Sequence, residues 1–98
     1  KPINIEEEWY VYIPNTFTPD GDRFSNDWSI STVGVKSLEV NIFNRWGEII
    51  FTSNDLNFVW DGTYLGLYVP DGTYTYDVNF VTNSGRDRNL RGHVNVLK

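Results

Sequence analysis

Polar and apolar residues alternate along the chain with a period of two, which predicts β-strands. Leu38, Val40 and Ile42 alternate with polar residues, and the same pattern runs through residues 74–80 and 90–97. Each of these three strands should bury one face. The residues predicted to line one core between two sheets are Leu38, Val40, Ile42, Tyr74, Tyr76, Val78, Val94 and Val96.

Shorter strands and frequent turns are predicted between the long strands. Residues 9–13 are aromatic or β-branched, residues 48–52 follow a turn at Trp46-Gly47, and residues 59–60 precede Asp61-Gly62. Many short strands separated by turn residues are typical of β-sandwiches. The sequence therefore predicts an all-β fold, an immunoglobulin-like antiparallel β-sandwich of about seven strands.

Composition agrees with one all-β domain. A chain of 98 residues is near the size at which a single core can fold alone. Aromatic residues make up 16% of it, whereas Ala, Gln and Met, which favour helices, are absent. We expect residues 9–98 to form the domain. Residues 1–8, with the acidic run Glu6-Glu7-Glu8, should be a linker from an upstream passenger, and the lack of Met favours a segment of a longer precursor.

Charge and cysteine content exclude several classes of function. Eight basic and thirteen acidic side chains give a net charge of −5, which opposes binding to nucleic acid or to anionic lipid. The absence of Cys removes disulfides, thiol nucleophiles and thiolate metal sites. No apolar run approaches the length of a membrane helix. We expect a monomer that neither binds nucleic acid nor inserts into a membrane.

Five short motifs follow one another in a fixed order. They are Pro14-Asn15-Thr16-Phe17-Thr18-Pro19, Asn44-Arg45-Trp46-Gly47, Trp60-Asp61-Gly62, Val69-Pro70-Asp71-Gly72-Thr73-Tyr74 and Gly92-His93-Val94. In this order they resemble the gliding-motility-associated C-terminal domain, the type B sorting domain of the type IX secretion system in Bacteroidetes. The resemblance runs from about residue 12 to residue 98. Asp20 and Arg23 depart from the family pattern, which has Asn and Gly there.

The resemblance implies a sorting signal that directs a larger protein across the outer membrane to the cell surface or the medium. The partners it implies are components of the type IX translocon, together with a dedicated outer-membrane cofactor protein. An exposed edge strand can be bound by β-augmentation. We expect the last strand to be the recognised element: Gly92, His93, Val94, Asn95, Val96, Leu97 and Lys98.

Two other classes of function remain open. The aromatic residues could form a platform for carbohydrate or adhesion, or the domain could be a structural spacer. A platform needs exposed rings, whereas we expect aromatics at turn junctions to plug the ends of the sandwich. Burial of Trp28, Trp46 and Trp60 separates these interpretations. A further expectation is an ion pair between Arg45 and Asp61, each of which lies beside an indole.

One loop carries candidate metal ligands. Asp20, Asp22, Asn26 and Asp27 offer the oxygen atoms that Ca²⁺ prefers. Their spacing is not that of an EF-hand, and Asp and Gly are common in turns for backbone reasons alone. We favour a plain turn and keep a Ca²⁺ site as the alternative, with no other cofactor.

The sequence offers no catalytic set. His93 is the only histidine, and it should lie on the polar side of the last strand. A lone exposed His without a neighbouring nucleophile or acid is weak evidence for catalysis. We therefore expect a domain without enzyme activity.

Overall fold

The computed structural model describes residues 8–19 and 27–97, and every regular element in these ranges is a β-strand. The strands are β1 (Tyr10–Tyr12), β2 (Thr16–Phe17), β3 (Ser31–Val33), β4 (Val35–Phe43), β5 (Ile49–Ser53), β6 (Thr63–Tyr64), β7 (Leu67–Tyr68), β8 (Gly72–Thr82) and β9 (Asp87–Val96). No helix that could cross a membrane occurs in these ranges. The all-β prediction is confirmed.

A five-stranded sheet with the order β2-β9-β8-β4-β5 forms the larger layer. β8 lies between β4 and β9 and pairs with both in the antiparallel sense. Its pairing with β9 runs from Gly72 opposite Val96 to Val81 opposite Asp87. β2 joins the far side of β9 in the parallel sense, over only two residues. The three long strands expected from the alternation therefore lie side by side.

Short elements cover one face of this sheet. β1 pairs with β3, β6 pairs with β7, and an isolated antiparallel bridge joins Trp28 to Trp60. Trp28, Phe58 and Trp60 belong to the same buried cluster as Val40 and Val78 of the large sheet. The result is a sandwich of one broad sheet and one thin layer. It has nine strands rather than about seven because five of the strands are only two or three residues long.

The core forms where period two predicted it. Seven of the eight predicted core residues are buried, and Tyr76 is half-buried and packs against the cluster. Aromatic rings fill the centre. The Trp28 and Trp60 centroids lie 6.5 Å apart in an edge-to-face arrangement, and Phe17 lies 5.3 Å from Trp60. Such rings contribute large apolar areas, and edge-to-face contacts add to their stabilisation.

The opposite face of the large sheet is polar. Asn89 of β9 donates its side-chain amide to Asp77 Oδ1 at 2.6 Å and to Asn79 Oδ1 at 2.7 Å, both on β8. Arg91 pairs with Asp77 at 3.3 Å. These cross-strand contacts link β8 to β9 on the solvent side, so they support the register that the core sets from the other side.

The assignment of the two faces can be tested on β8. Val78 is completely buried, so Val78→Ala should lower the free energy of unfolding by about 1–3 kcal/mol through lost transfer energy and the cavity left behind. Thr75→Ala, on the exposed face of the same strand, should change it much less. Urea denaturation of both variants measures the difference. Equal losses would contradict the face assignment.

Candidate recognition surface

The last strand, β9, lies near one side of the large sheet, and most of its outer side is uncovered. β8 pairs with its inner side along the whole length, whereas β2 reaches only Asn95 and Val96 on the other side. In the described residues no other strand pairs with β9. We call the uncovered backbone from Asp87 to His93 the open edge.

Hydrogen bonds to β2 identify which backbone groups face the open edge. The N–H of Asn95 donates to the carbonyl oxygen of Asn15 at 2.8 Å, and the N–H of Leu97 donates to that of Phe17 at 3.1 Å. Backbone groups along a strand alternate in direction. The N–H and C=O groups of residues 89, 91 and 93 therefore point the same way, to the side of β9 on which no other strand of the described residues pairs.

The structure divides the predicted recognition segment, residues 92–98, into parts with different roles. Val94 and Val96 are buried in the core, and the N–H groups of Asn95 and Leu97 are already bound by the carbonyl oxygens of Asn15 and Phe17. His93 is exposed on the open edge, and its predicted surface position is confirmed. Lys98 lies outside the described residues. Recognition through this segment stays a prediction. The open edge begins earlier, at Asp87, and it overlaps the predicted segment only at Gly92 and His93.

Gly92 has a packing role. A Cβ atom built at this position would lie 2.6 Å from Cζ of Tyr76 and closer still to the phenol oxygen. The Tyr76 ring therefore lies directly over Gly92, its cross-strand partner. Tyr76 also packs against Trp28 at a centroid distance of 5.7 Å, so it cannot move away freely. A side chain at position 92 would displace this ring.

The turn between β4 and β5, residues 44–48, explains the Asn-Arg-Trp-Gly-Glu motif by local hydrogen bonds. Asn44 Oδ1 accepts from the N–H groups of Trp46 and Glu48 at 2.9 and 3.0 Å, and its amide donates to Glu48 Oε1 at 2.7 Å. Gly47 adopts φ 83°, which glycine tolerates best. Asn44, Gly47 and Glu48 are therefore explained by the turn itself.

Trp46 is not explained by packing. It is 77% exposed, so the expectation that it plugs the end of the sandwich is wrong. The Arg45 guanidinium lies over its ring at 5.5 Å from the centroid. Trp28 and Trp60, by contrast, are buried as expected. The Asn44 side chain binds backbone N–H groups within the turn. The turn is therefore held by its own hydrogen bonds, and the Trp46 indole remains in solvent.

The expected ion pair between Arg45 and Asp61 does not form. Asp61 Oδ1 accepts from the N–H of Thr63 at 3.1 Å and from its hydroxyl at 2.6 Å, so this carboxylate closes a turn of its own. Next to it, Gly62 adopts φ 84° and is packed under Pro19. Local hydrogen bonding at Asp61 replaces the long-range pair.

A shallow groove of about 410 Å³ separates the 44–48 turn from the turn at residues 70–72. Tyr74 lines it, and its hydroxyl donates to the carbonyl oxygen of Pro70 at 2.6 Å. Burial raises the pKa of Tyr74 above its ordinary value of 10.0, the Arg45 charge opposes the rise, and the Asp71 charge adds to it. This bond fixes the Pro70-Asp71-Gly72 turn at the start of β8.

A family model for the CHU_C type IX secretion signal domain matches residues 11–96, nearly the whole chain. The chain belongs to this family. It is therefore a type IX sorting signal, as the five ordered motifs predicted. A comparison with curated proteins gives no match.

The structure explains most of the motif residues of this secretion signal domain by folding. Asn44 and Gly47 shape one turn, Trp60 is central to the core, and Asp61-Gly62 and Pro70-Asp71-Gly72 shape two more turns. Their role as a structural motif stays a prediction, and these contacts are the observations that support it. The features that folding does not explain are the open edge, Trp46, and an exposed hairpin at residues 63–68 that the alternation did not predict.

The predicted Ca²⁺ loop falls largely outside the described residues. Asp20, Asp22 and Asn26 lie there, and Asp27 is exposed at the start of the next described segment. Among described residues no group of three or more metal-binding side chains comes together. Calcium binding by this loop stays a prediction, tested by whether saturating calcium raises the melting temperature.

The Tyr74 hydroxyl provides a pH-dependent test of the groove. Because its pKa is raised in the folded state, the stabilisation it gives is fully present below about pH 10 and is lost as pH rises through the raised value. Tyr74→Phe should cost about 1 kcal/mol at neutral pH, and as the pH rises above about 10 it should lose less stability than the wild type. Urea denaturation across this range measures both effects.

Tyr10→Phe is the matched control, since Tyr10 is exposed on β1. It should leave the stability at neutral pH nearly unchanged. If Tyr74→Phe and the wild type lose stability in parallel in alkali, the Tyr74 hydroxyl does not contribute as described.

Proposed function

We propose that this domain carries an upstream passenger, joined through residues 1–8, from the periplasm across the outer membrane of a Bacteroidetes cell. The passenger is delivered to the cell surface or the medium. The domain acts by binding alone, as a monomer and without catalysis. A component of the type IX translocon, or an outer-membrane cofactor protein, recognises it as a folded object through the open edge of β9.

The open edge is the observation that carries this proposal. An incoming strand can pair with the backbone groups of residues 89, 91 and 93 without displacing any strand of the described domain. The inner side of β9 is fixed by β8, and the Asn89, Arg91 and Asp77 network supports its outer face. An edge held this rigidly loses little entropy when a partner strand binds.

Charge on the open edge favours a specific partner over other copies of the domain. Asp87, Arg88 and Arg91 are exposed along it. Charged side chains on edge strands are a common means of preventing unwanted strand pairing. The net charge of −5 adds repulsion between copies. A partner strand with complementary charges would overcome both.

A reporter fusion tests the proposal. A fluorescent protein with a periplasmic signal and this domain at its C-terminus should reach the surface of a Bacteroidetes cell only when the type IX translocon is intact. His93→Pro should keep the fusion in the periplasm, because it removes an outward N–H and places a ring on the open edge. Surface fluorescence of intact cells measures delivery.

The substitution should preserve the fold. Proline is tolerated on edge strands where the N–H faces solvent, and Gly92 before it has no Cβ to clash with the ring. Deleting residues 92–98 would instead remove the buried Val94 and Val96. His93→Ala, which keeps the N–H, is the matched control and should be delivered normally. Both variants should unfold in urea near the wild-type midpoint.

Each result has a separate meaning. Delivery of the wild-type fusion in a translocon-null strain would refute the route. Delivery of His93→Pro at the wild-type level would refute recognition through the open edge and leave the route intact. The adhesion alternative is less favoured, because two of the three indoles it would use, Trp28 and Trp60, are buried in the core. It predicts surface binding by the isolated domain rather than translocon-dependent delivery.

A further inference from the structure

Residues 63–68 form an exposed apolar hairpin. β6 and β7 pair with each other as a separate two-stranded sheet and are joined by Leu65-Gly66. Leu65 is 85% exposed and Leu67 is 74% exposed, and Tyr64 and Tyr68 are also exposed. We call residues 63–68 the apolar hairpin. Contiguous apolar surface of this kind is typical of interaction sites.

The backbone at the tip does not favour the residue found there. Leu65 has φ 56° and Gly66 has φ 87°, and in the described chain Leu65 is the one non-glycine residue with positive φ. Two-residue hairpin turns with both φ values positive prefer Asn-Gly. Leucine is disfavoured in this conformation because its Cβ approaches backbone atoms. Asn at position 65 would fit this backbone conformation better than Leu. The presence of Leu65 is therefore explained by something other than folding.

The base of the hairpin is anchored in the core. The N–H of Val69 donates to the carbonyl oxygen of Gly62 at 2.8 Å. The indole N–H of Trp60 donates to the carbonyl oxygen of Thr63 at 3.0 Å. Trp60 and Val69 are buried, and Asp61 closes its turn on Thr63. The tip is therefore presented from a fixed base, which reduces the entropy lost on docking.

The charge around the hairpin indicates the kind of partner. Asp61 and Asp71 lie at the two ends of the hairpin segment, Arg45 lines the same groove as Asp71, and the whole chain carries a net charge of −5. An anionic lipid surface would repel a chain of this net charge, and so would a second copy of the chain. An apolar pocket with a basic rim complements both the leucines and the carboxylates.

We propose that the apolar hairpin is a second docking element, in which Leu65 and Leu67 insert into an apolar pocket with a basic rim on a protein of the export machinery. This rests on the proposed sorting function, and it adds a contact separate from the open edge. The hairpin precedes the turn at residues 70–72, whereas Glu8 lies beside Gly34, at the opposite end of β4. A passenger joined before residue 8 would therefore leave the hairpin accessible.

Leu65→Asn tests the proposal without damaging the fold. Because Asn suits the turn, the variant should melt higher than the wild type, by roughly 4–8 °C for a domain of this size. In the reporter fusion its surface delivery should fall by about tenfold, the effect of losing a well-buried anchor. Val33→Thr removes exposed apolar surface on β3 at the other end of the domain and should be delivered normally. Wild-type delivery of Leu65→Asn would overturn the proposal.

Three further measurements distinguish the partners. A photo-crosslinking residue at position 67 should join the fusion to a translocon or outer-membrane protein, at an apolar site flanked by Lys or Arg. Sedimentation of the wild-type domain with phosphatidylglycerol vesicles, lost in Leu65→Asn, would assign the hairpin to lipid and overturn the proposal. A dimer in sedimentation equilibrium, lost in Leu65→Asn, would assign it to a second copy and also overturn it.

The two proposals can fail separately. Delivery of the wild-type fusion without the translocon refutes the sorting route itself. Translocon-dependent delivery that is blocked by His93→Pro but not by Leu65→Asn leaves the sorting function standing and removes only the hairpin contact.

Discussion

The thin layer of the sandwich depends on the bridge between Trp28 and Trp60. Their backbones exchange two hydrogen bonds of 2.8 and 2.9 Å, and their indole rings pack edge to face. Each indole N–H is satisfied by a carbonyl oxygen, that of Pro14 for Trp28 and that of Thr63 for Trp60. These polar groups are buried without an unpaired donor, which would otherwise cost a substantial part of the stability. Through this bridge two loops cover the inner face of the large sheet.

The same bridge determines which parts of the surface remain open. The Trp28 indole holds the segment at Pro14 that leads into β2, and β2 covers β9 only at its end. The Trp60 indole holds the first residue of the apolar hairpin. The Trp28 and Trp60 rings thus position three features: the covered end of β9, its open edge and the base of the hairpin. A change that loosened the bridge would disturb the proposed recognition surfaces and the stability together.

Much of the fold was predictable because the three long strands each bury one face, so period two is visible in the sequence. The main turns were also predictable, because Gly together with Asn, Asp or Pro marks a turn through local backbone preferences. The parallel pairing of β2 with β9 was not predicted, since two residues show no periodicity and the partner strand is far away in sequence. The exposure of Trp46 and the missing Arg45–Asp61 pair have another cause. Side-chain hydrogen bonds within each turn decide those orientations, and residue spacing does not encode them.

A sorting signal is read by other proteins, so the parts of its surface that folding does not explain carry the most information. Asn44, Gly62 and Gly92 are each required by a turn or a close contact. Leu65 is opposed by its own backbone, and Trp46 stands in solvent beside a groove. Trp46 lies in the turn that follows β4, near the start of β8, and Leu65 lies in the turn of the hairpin that precedes β8. The core thus provides a rigid scaffold. Leu65 and Trp46 are exposed on it, although neither side chain contributes much to the stability of the fold in this position.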